Sequence, residues 1–513
     1  MLKSFITSSL FILSVCSYAQ KITIDWLGES KAKNGMNPKT ILGEFNNEIY
    51  LLKDDYSSAG VHHYYSLETY STSDMLLTNS SELKLPDIHE RGDQNMISLT
   101  LMKNGNLVLF FDNEKMKLAK PYAKTSEVEY KCYAVLLDKK GKAIGEPQIV
   151  YEDEQSYKVG ESYLTKKCNV ILSTDSMRFF MYSANIRNKK LSGKIFDSEI
   201  KCTKTISYEF PFERTFAIAN LILDENQILY GICKENTTEL KKYAYKIIAV
   251  NLANYSLKSS PINLKTELPL SRFHMDKAGN KLQIVGYYFA GLKKKATGGG
   301  MLFYEFNITD LQSQKSFSAE YDPTTIAQLN CNAKFLKDYT MYDSVNAITS
   351  LVNSKIINLK SGETVVVSEQ IVELDLASTS GNDYFNILVT RVNKDGIINK
   401  PYVIPKLHSG KNKSYYSFID IVKNDKLYLI FNDNSRNSEQ EDPYKSISGL
   451  NGISGSSTFV VSFTESAWDK KILYTVDEGS AYMHPAKFYY RNKDEVLIYG
   501  QKENKIKFAL IKL

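Results

Sequence analysis

Eight times along the chain a polar turn built from Asn, Asp or Gly runs into a short apolar strand and out into another polar cluster. This recurrence constrains the fold more than any other feature. The copies are FNNEIYLLKDD from Phe45, KNGNLVLFFDNEK from Lys103, TDSMRFFMYSAN from Thr174, DENQILYGICKEN from Asp224, KAGNKLQIVGYYF from Lys277, SGETVVVSEQ from Ser361, KNDKLYLIFNDNS from Lys423 and KDEVLIYGQKEN from Lys493. Taken from Ile49, Leu107, Phe179, Ile228, Leu282, Val365, Leu427 and Val496, they lie 49 to 83 residues apart. A strand-built period of that length predicts a β-propeller whose connections differ in length. A further hairpin lies between copies, in AVLLDKKGKAIGEPQIV from Ala134 and LVTRVNKDGIINKPYVI from Leu388. It raises each unit to about four strands, which is one blade. A lone blade has two apolar faces to bury, and stacking blades radially buries both while leaving few free strand edges.

The 35 Tyr and 24 Phe, against 2 Trp, suit pleated surfaces. No Pro-rich or Gly/Ser-rich linker divides the chain. The expectation is therefore all-β, with residues 20–513 forming a single β-propeller of seven or eight roughly four-stranded blades. KITIDWL from Lys21 has no unit of its own, and the last unit shows only EVLIYGQ and IKFALIKL. Pairing of the N- and C-terminal strands would then close the ring as a clasp. The longest spacing contains DPTTIAQLNCNAKFLK, in which Asp322 can cap a helix and Pro323 suits its first position. Ile326, Leu329, Ala333 and Leu336 follow at helical spacing, predicting a short helical insertion near 322–337, packed on the rim.

The first residues, MLKSFITSSLFILSVCSYAQ, place Lys3 before an apolar run from Phe5 to Val15, with small residues at Ser17 and Ala19. This reads as a signal peptide over residues 1–19, cut near Ala19, leaving a secreted or periplasmic protein. LSVC offers an alternative, a lipid anchor through Cys16, although Val15 stands where a small residue is expected. No later apolar run approaches the roughly 20 residues of a membrane helix. Cys132, Cys168, Cys202, Cys233 and Cys331 include no close pair, so neither a zinc site nor a disulfide framework is indicated. The net charge of +6 is spread among interspersed acids and bases, with no basic stripe for nucleic acid.

From Ser361 to Asn437 the features follow a more particular order. Glu369-Gln370 ends a strand, DYFNIL from Asp383 is rich in Tyr and Asn, Ile404-Pro405-Lys406 follows, and Phe431-Asn432-Asp433-Asn434 closes a strand. This order resembles an uncharacterised family of secreted β-propeller-like proteins from Bacteroidetes-type bacteria. GYYFAGLKKKATGGGMLFYEFN from Gly286 resembles that family's preceding blade, so the likeness lies mainly in residues 280–437. His408 stands where a Gln is expected. The resemblance implies export and a propeller, and brings no activity with it. The residues of this segment expected to face a ligand are Glu369, Tyr384, Lys406, His408, Asp433 and Asn434.

His62 and His63 are adjacent, so on a strand they point to opposite faces and cannot share a metal. His89, His274, His408 and His484 lie far apart, and each reads as a loop or core residue. There is no G-x-S-x-G nucleophile motif. A propeller glycosidase would need convergent carboxylates, for which Glu369, Asp383, Asp433 and Asp442 are the candidates. FNDNSRNSEQEDP gathers Asp433, Asn434, Glu439, Glu441 and Asp442, oxygen donors of the calcium kind but without D-x-D-x-D-G spacing, and reads as a polar loop. The RGD at Arg91–Asp93 is too short to assign an adhesive role. Lys293-Lys294-Lys295 precedes Gly298-Gly299-Gly300, the reverse of a phosphate loop, and no helix follows. That stretch predicts a long hairpin tip turned by its glycines.

The functional expectation is an exported, non-enzymatic binding scaffold at the bacterial envelope or outside the cell. It would have no metal or cofactor, and its partner would be an envelope protein or a glycan stacked on aromatic side chains. The alternative is a glycan hydrolase or lyase with carboxylates at the channel mouth.

Overall fold

The computed structural model describes residues 22–512 except 32–36, 57–62, 89, 91, 118–124, 159–167, 186–189, 213–215, 237–242, 264–269, 291–297, 332–350, 374–381, 409–415, 439–441, 443, 446, 451, 453–454, 465–466, 476–480, 493–494 and 503–504. Its strands form eight four-stranded antiparallel sheets, the blades of a β-propeller. Blades 1 to 7 cover residues 37–83, 93–158, 169–209, 216–262, 270–320, 351–404 and 419–475. Blade 8 covers 482–512 and takes its outermost strand, Thr23–Lys31, from the other end of the chain. The first strand of each blade lies at the axis, where first strands of neighbouring blades pack on one another, and the fourth lies at the rim.

The eight sequence copies are the second strands of the eight blades. Their continuous apolar runs follow from their position, because a second strand is covered on both faces. In Glu48–Tyr56, Ile49 and Leu51 pack toward blade 8 against Leu497, Tyr499 and Phe508. Tyr50 and Leu52 pack toward blade 2 against Leu99, Leu109 and Phe111. Each of the eight interfaces between blades has such a cluster. Rim strands instead alternate, as in Cys202–Glu209, where Ile206 and Tyr208 are buried between exposed neighbours.

Because each sheet runs up and down, its second-to-third turns and the blade-to-blade crossings leave from one end. The first-to-second and third-to-fourth turns lie at the other. At that second end the polar turn residues take the left-handed conformation, as in Asn46-Asn47 (φ 50° and 61°) and Asn424-Asp425 (φ 48° and 63°). Asp425 also reaches the neighbouring blade, accepting from the backbone N–H of Lys360 (2.5 Å) and Ser361 (2.8 Å).

The clasp pairs Thr23–Lys31 with Lys505–Lys512, from Thr23 opposite Lys512 to Lys31 opposite Lys505. Gly500 is required there, since a Cβ on it would come within 2.3 Å of the Trp26 ring. Trp26 in turn meets Tyr474 of blade 7 edge to face, with centroids 6.0 Å apart. The last blade contains a strand that the sequence reading lacks, Tyr482–Tyr490 at the axis. Pro485 and a register break between Met483 and Phe488 interrupt its pattern, which hides it from a test based on alternation.

The helical insertion is present but shorter than the expected 322–337, running Pro323–Leu329. Asp322 caps it by accepting from the Thr325 N–H at 2.8 Å, a bond that holds its carboxyl below the usual range. Ala333 and Leu336 lie outside the described residues. The glycines of the basic hairpin also differ from expectation. Gly298, Gly299 and Gly300 belong to the strand Gly298–Asn307 and pair with Ala290, Phe289 and Tyr288. A Cβ on Gly300 would lie 2.0 Å from the Ala319 carbonyl oxygen, so this glycine serves a close approach rather than a turn. The three lysines lie outside the described residues, as does the signal segment. No helix of the described residues is long and apolar enough to cross a membrane.

Candidate ligand site

Five of the six residues singled out in 361–437 meet in or beside the interface between blades 6 and 7, and the sixth, Asn434, adjoins them. Glu369 sits on the second strand of blade 6, Thr364–Glu373, at a bulge between Glu369 and Ile371 that breaks the side-chain alternation. Lys406 follows the three-residue rim strand Tyr402–Ile404, its N–H held by Asn386 Oδ1 at 3.3 Å. Both side chains are fully buried, and Lys406 Nζ is ion-paired with Glu369 Oε1. Burial lowers the Lys406 pKa, while Glu369 and then Asp433 favour its charged form.

Asp433, on the second strand of blade 7, is fully buried as well. Lys470 reaches its Oδ2 at 2.6 Å, and Asn437 Nδ2 and the Asn434 N–H donate to its Oδ1 at 3.0 and 2.8 Å. The Lys470 ammonium lies over the Phe459 ring at 4.3 Å and the Phe431 ring at 5.4 Å. Two acids and two lysines thus alternate across the blade interface as Glu369, Lys406, Asp433, Lys470. Asn434 is half-buried and donates to the Gly449 carbonyl at 3.0 Å, pinning the loop after its strand.

His408 is bridged through its backbone to Tyr384 and Leu450, and its ring lies 5.1 Å from that of Tyr416. It is fully buried, with the Asn432 backbone as a hydrogen-bonding neighbour of its ring. Burial, reinforced by the Lys406 charge, pushes its pKa well down, so the imidazole is neutral. Glu369, Lys406, His408 and Asp433 therefore lie inside the wall. Tyr384 alone of the six also lines an open cavity, with its phenol pushed up to about 12 by burial.

That cavity, about 700 Å³, occupies the axial channel against blades 4 to 8. Phe273, Tyr287, Tyr384, Phe418 and Phe488 supply rings, and Asn220, His274, Ser354, Lys355 and Ser417 supply polar groups. Lys355 is ion-paired with Asp420, and its ammonium lies 4.6 Å from the Phe488 centroid and 5.4 Å from that of Phe418. Asn220 is exposed in the left-handed conformation (φ 52°) and donates to the Phe273 carbonyl at 2.7 Å. Burial lowers the His274 pKa, opposed by Asp276. Ser417 joins the cavity to the charged wall by donating to Glu369 Oε2 at 2.9 Å. At the other end of the charge chain, Lys470 lines a rim cavity of about 220 Å³ with Pro405, Asn437 and Trp468.

The four carboxylates considered for catalysis do not converge on open space. Glu369 and Asp433 are matched to lysines, Asp383 is buried near Tyr416, and Asp442 is paired at the surface with Lys445 at 3.0 Å. Among the described residues no three His, Cys, Asp or Glu side chains form a metal-holding group. Glu439 and Glu441 of the calcium-type loop lie outside the described residues. His484 is buried against Tyr499, with its pKa pushed down to about 3 by burial and the nearby Lys487.

Sequence reasoning missed Asn220, Phe273, Lys355 and Phe488. They come from first strands, such as Leu270–Ala278 and Tyr482–Tyr490, that are broken by register shifts and stand out in neither hydropathy nor period. Their one common signal is position, each lying in the strand just before a repeat copy.

No family model matches the chain, and no curated protein is similar to it. Among solved structures it is similar to the β-propeller domain of the Trilobed protease from Pyrococcus furiosus, at 10% identity and TM-score 0.33, over 91% of this chain and 98% of that one. It is also similar to the WD40 domain of SCAP from fission yeast, at 8% identity and TM-score 0.35, over 97% and 96%. A third likeness is to prolyl oligopeptidase B from Galerina marginata, at 11% identity and TM-score 0.34, over 80% of this chain and 47% of that one. The chain thus spans about half the length of that enzyme. Likenesses of this order bear on no activity.

Proposed function

We propose that this chain is an exported, non-enzymatic β-propeller that binds a partner at the bacterial envelope or outside the cell, with the axial channel as its ligand site. The observation that carries this reading is the composition of the channel wall. Five aromatic residues and five neutral or charge-compensated polar groups line it, and no carboxylate is among the described lining residues. Hydrolysis of a glycosidic bond takes an acid and a second carboxylate about 5 to 10 Å apart across the bond. Here the buried acids nearest the channel are matched to lysines, an arrangement suited to holding a wall in place. Aromatic faces with a few oriented polar groups are the usual make-up of a small-ligand pocket.

The test is retention without conversion. Immobilised full-length protein is exposed to protein and glycan fractions of the envelope, and bound and unbound material is compared by mass spectrometry. The expected outcome is a retained component recovered intact, whose retention drops on Phe488→Ala. Accumulation of a cleaved product that depends on the protein would contradict the reading and favour the hydrolase or lyase alternative.

A further inference from the structure

The channel wall also restricts the chemistry of what it can hold. A charged ligand needs an unspent counter-charge, and the one cation on the described wall, Lys355, is committed to Asp420 and lies against two aromatic rings. His274 lines the cavity, and burial lowers its pKa, which favours the neutral imidazole with one donor and one acceptor. The Asn220 amide faces the channel from the axial strand of blade 4. Phe273 and Phe488 are half-buried, unlike Tyr287 and Phe418, which are packed into the wall; Phe273 packs in part on Tyr245, with centroids 5.0 Å apart, and Phe488 in part under the Lys355 ammonium, while both rings also line the cavity. An uncharged molecule with hydrogen-bonding edges and apolar faces matches this set, and a cavity of about 700 Å³ falls within the range of small-molecule sites.

We infer that the axial channel binds a short neutral oligosaccharide, with sugar C–H faces on Phe488 and Phe273 and hydroxyls on Asn220 and His274. The inference rests on the channel-binding reading above and names its ligand class. Sugar rings suit the site because each has one apolar face for an aromatic ring and a polar edge for an amide and an imidazole.

The test is calorimetric titration of the full chain with cellotriose, maltotriose and triacetylchitotriose, beside trigalacturonic acid as the anionic counterpart. At least one neutral trisaccharide binds saturably, and trigalacturonic acid binds at least tenfold more weakly. Phe488→Ala weakens the neutral ligand about tenfold, the loss of one well-placed ring. Asn220→Gly, which keeps the left-handed backbone available, weakens it about fivefold by removing the amide. Circular dichroism and the urea midpoint establish that both variants fold. The inference is overturned if no neutral trisaccharide binds, if trigalacturonic acid binds more tightly, or if neither substitution changes the affinity. Should no sugar bind while an envelope component is still retained in a Phe488-dependent way, the ligand class fails and the binding reading survives. If a trisaccharide binds and is cleaved, the ligand class survives and the non-enzymatic reading fails.

Discussion

Two buried lysine–glutamate pairs in this propeller illustrate different uses of the same chemistry. In blade 1, Lys53 Nζ lies 3.2 Å from Glu68 Oε1, and the glutamate is completed by Tyr70 Oη at 2.6 Å and Ser80 Oγ at 3.4 Å. Every one of these groups belongs to one sheet. In blade 6, Glu369 and Lys406 form an equally buried pair, but Lys406 also senses Asp433 of blade 7, which is held by Lys470. The first pair neutralises itself within a blade, whereas the second is part of a chain of charges that ties two blades together beside the channel. Burying ions costs several kcal/mol each before their attraction is counted, so neither arrangement is a cheap source of stability. What the second adds is a demand on register, since blades 6 and 7 must meet correctly for four charges to be matched.

The largest expected effect comes from breaking the longer chain. Lys406→Met leaves Glu369 buried without its cation and should cost about 3 to 5 kcal/mol in urea unfolding. Lys53→Met leaves Glu68 with its two hydroxyl donors and should fall at the lower end of that range, about 3 kcal/mol. An equal or greater loss in blade 1 would break the distinction between the two sites.

A smaller effect is expected from pH. In the unfolded chain a histidine takes up its proton near pH 6.5. Folded His484 is held at about 3 and His408 well below its ordinary value, in both cases mainly by burial. Between those values the unfolded chain binds more protons than the folded one, so stability falls as pH drops below 6.5, by about 2 kcal/mol at pH 5 for His484, and His408 contributes a loss of the same sign. His408→Phe removes the imidazole together with its contact to the Asn432 backbone. It should leave stability at pH 7 within about 1 kcal/mol of the original and make the loss between pH 7 and 5 measurably smaller. An unchanged loss would show that His408 does not stay neutral in the folded state.

The smallest effect sharpens the comparison. Lys53→Met and Lys406→Met lie in blades 1 and 6 and share no partner, so their costs should add to within about 0.5 kcal/mol. By contrast, Lys406→Met and Lys470→Met remove cations from one chain and should depart from additivity by about 1 kcal/mol or more. Additivity in both cycles would mean that the charges across the blade interface act independently.

Much of this fold was legible in the sequence because the second strand of a blade is buried on both faces, which yields an apolar run that recurs eight times between polar turns. The clasp was legible for a related reason, in that Lys21–Leu27 had no unit to join. The axial strand Tyr482–Tyr490 was not, because Pro485 and a bulge remove the alternation that marks a strand. Glu369, Lys406 and Asp433 stood out through the order of short motifs between Ser361 and Asn437, and Glu369 and Asp433 also as candidate carboxylates. Sequence could not reveal that they face one another, since that follows from two blades meeting. Phe273 and Phe488 were invisible as channel residues, because a phenylalanine on an axial strand and one in a blade core are written alike.

The most direct test of ligand binding without turnover is an experimental structure of the protein grown with the trisaccharide that titrates best. The account predicts an intact sugar in the axial channel, one ring against Phe488 and a hydroxyl on the Asn220 amide, with Glu369 still paired to Lys406. A channel left empty while sugar binds elsewhere, or a cleaved sugar beside a carboxylate, would contradict it.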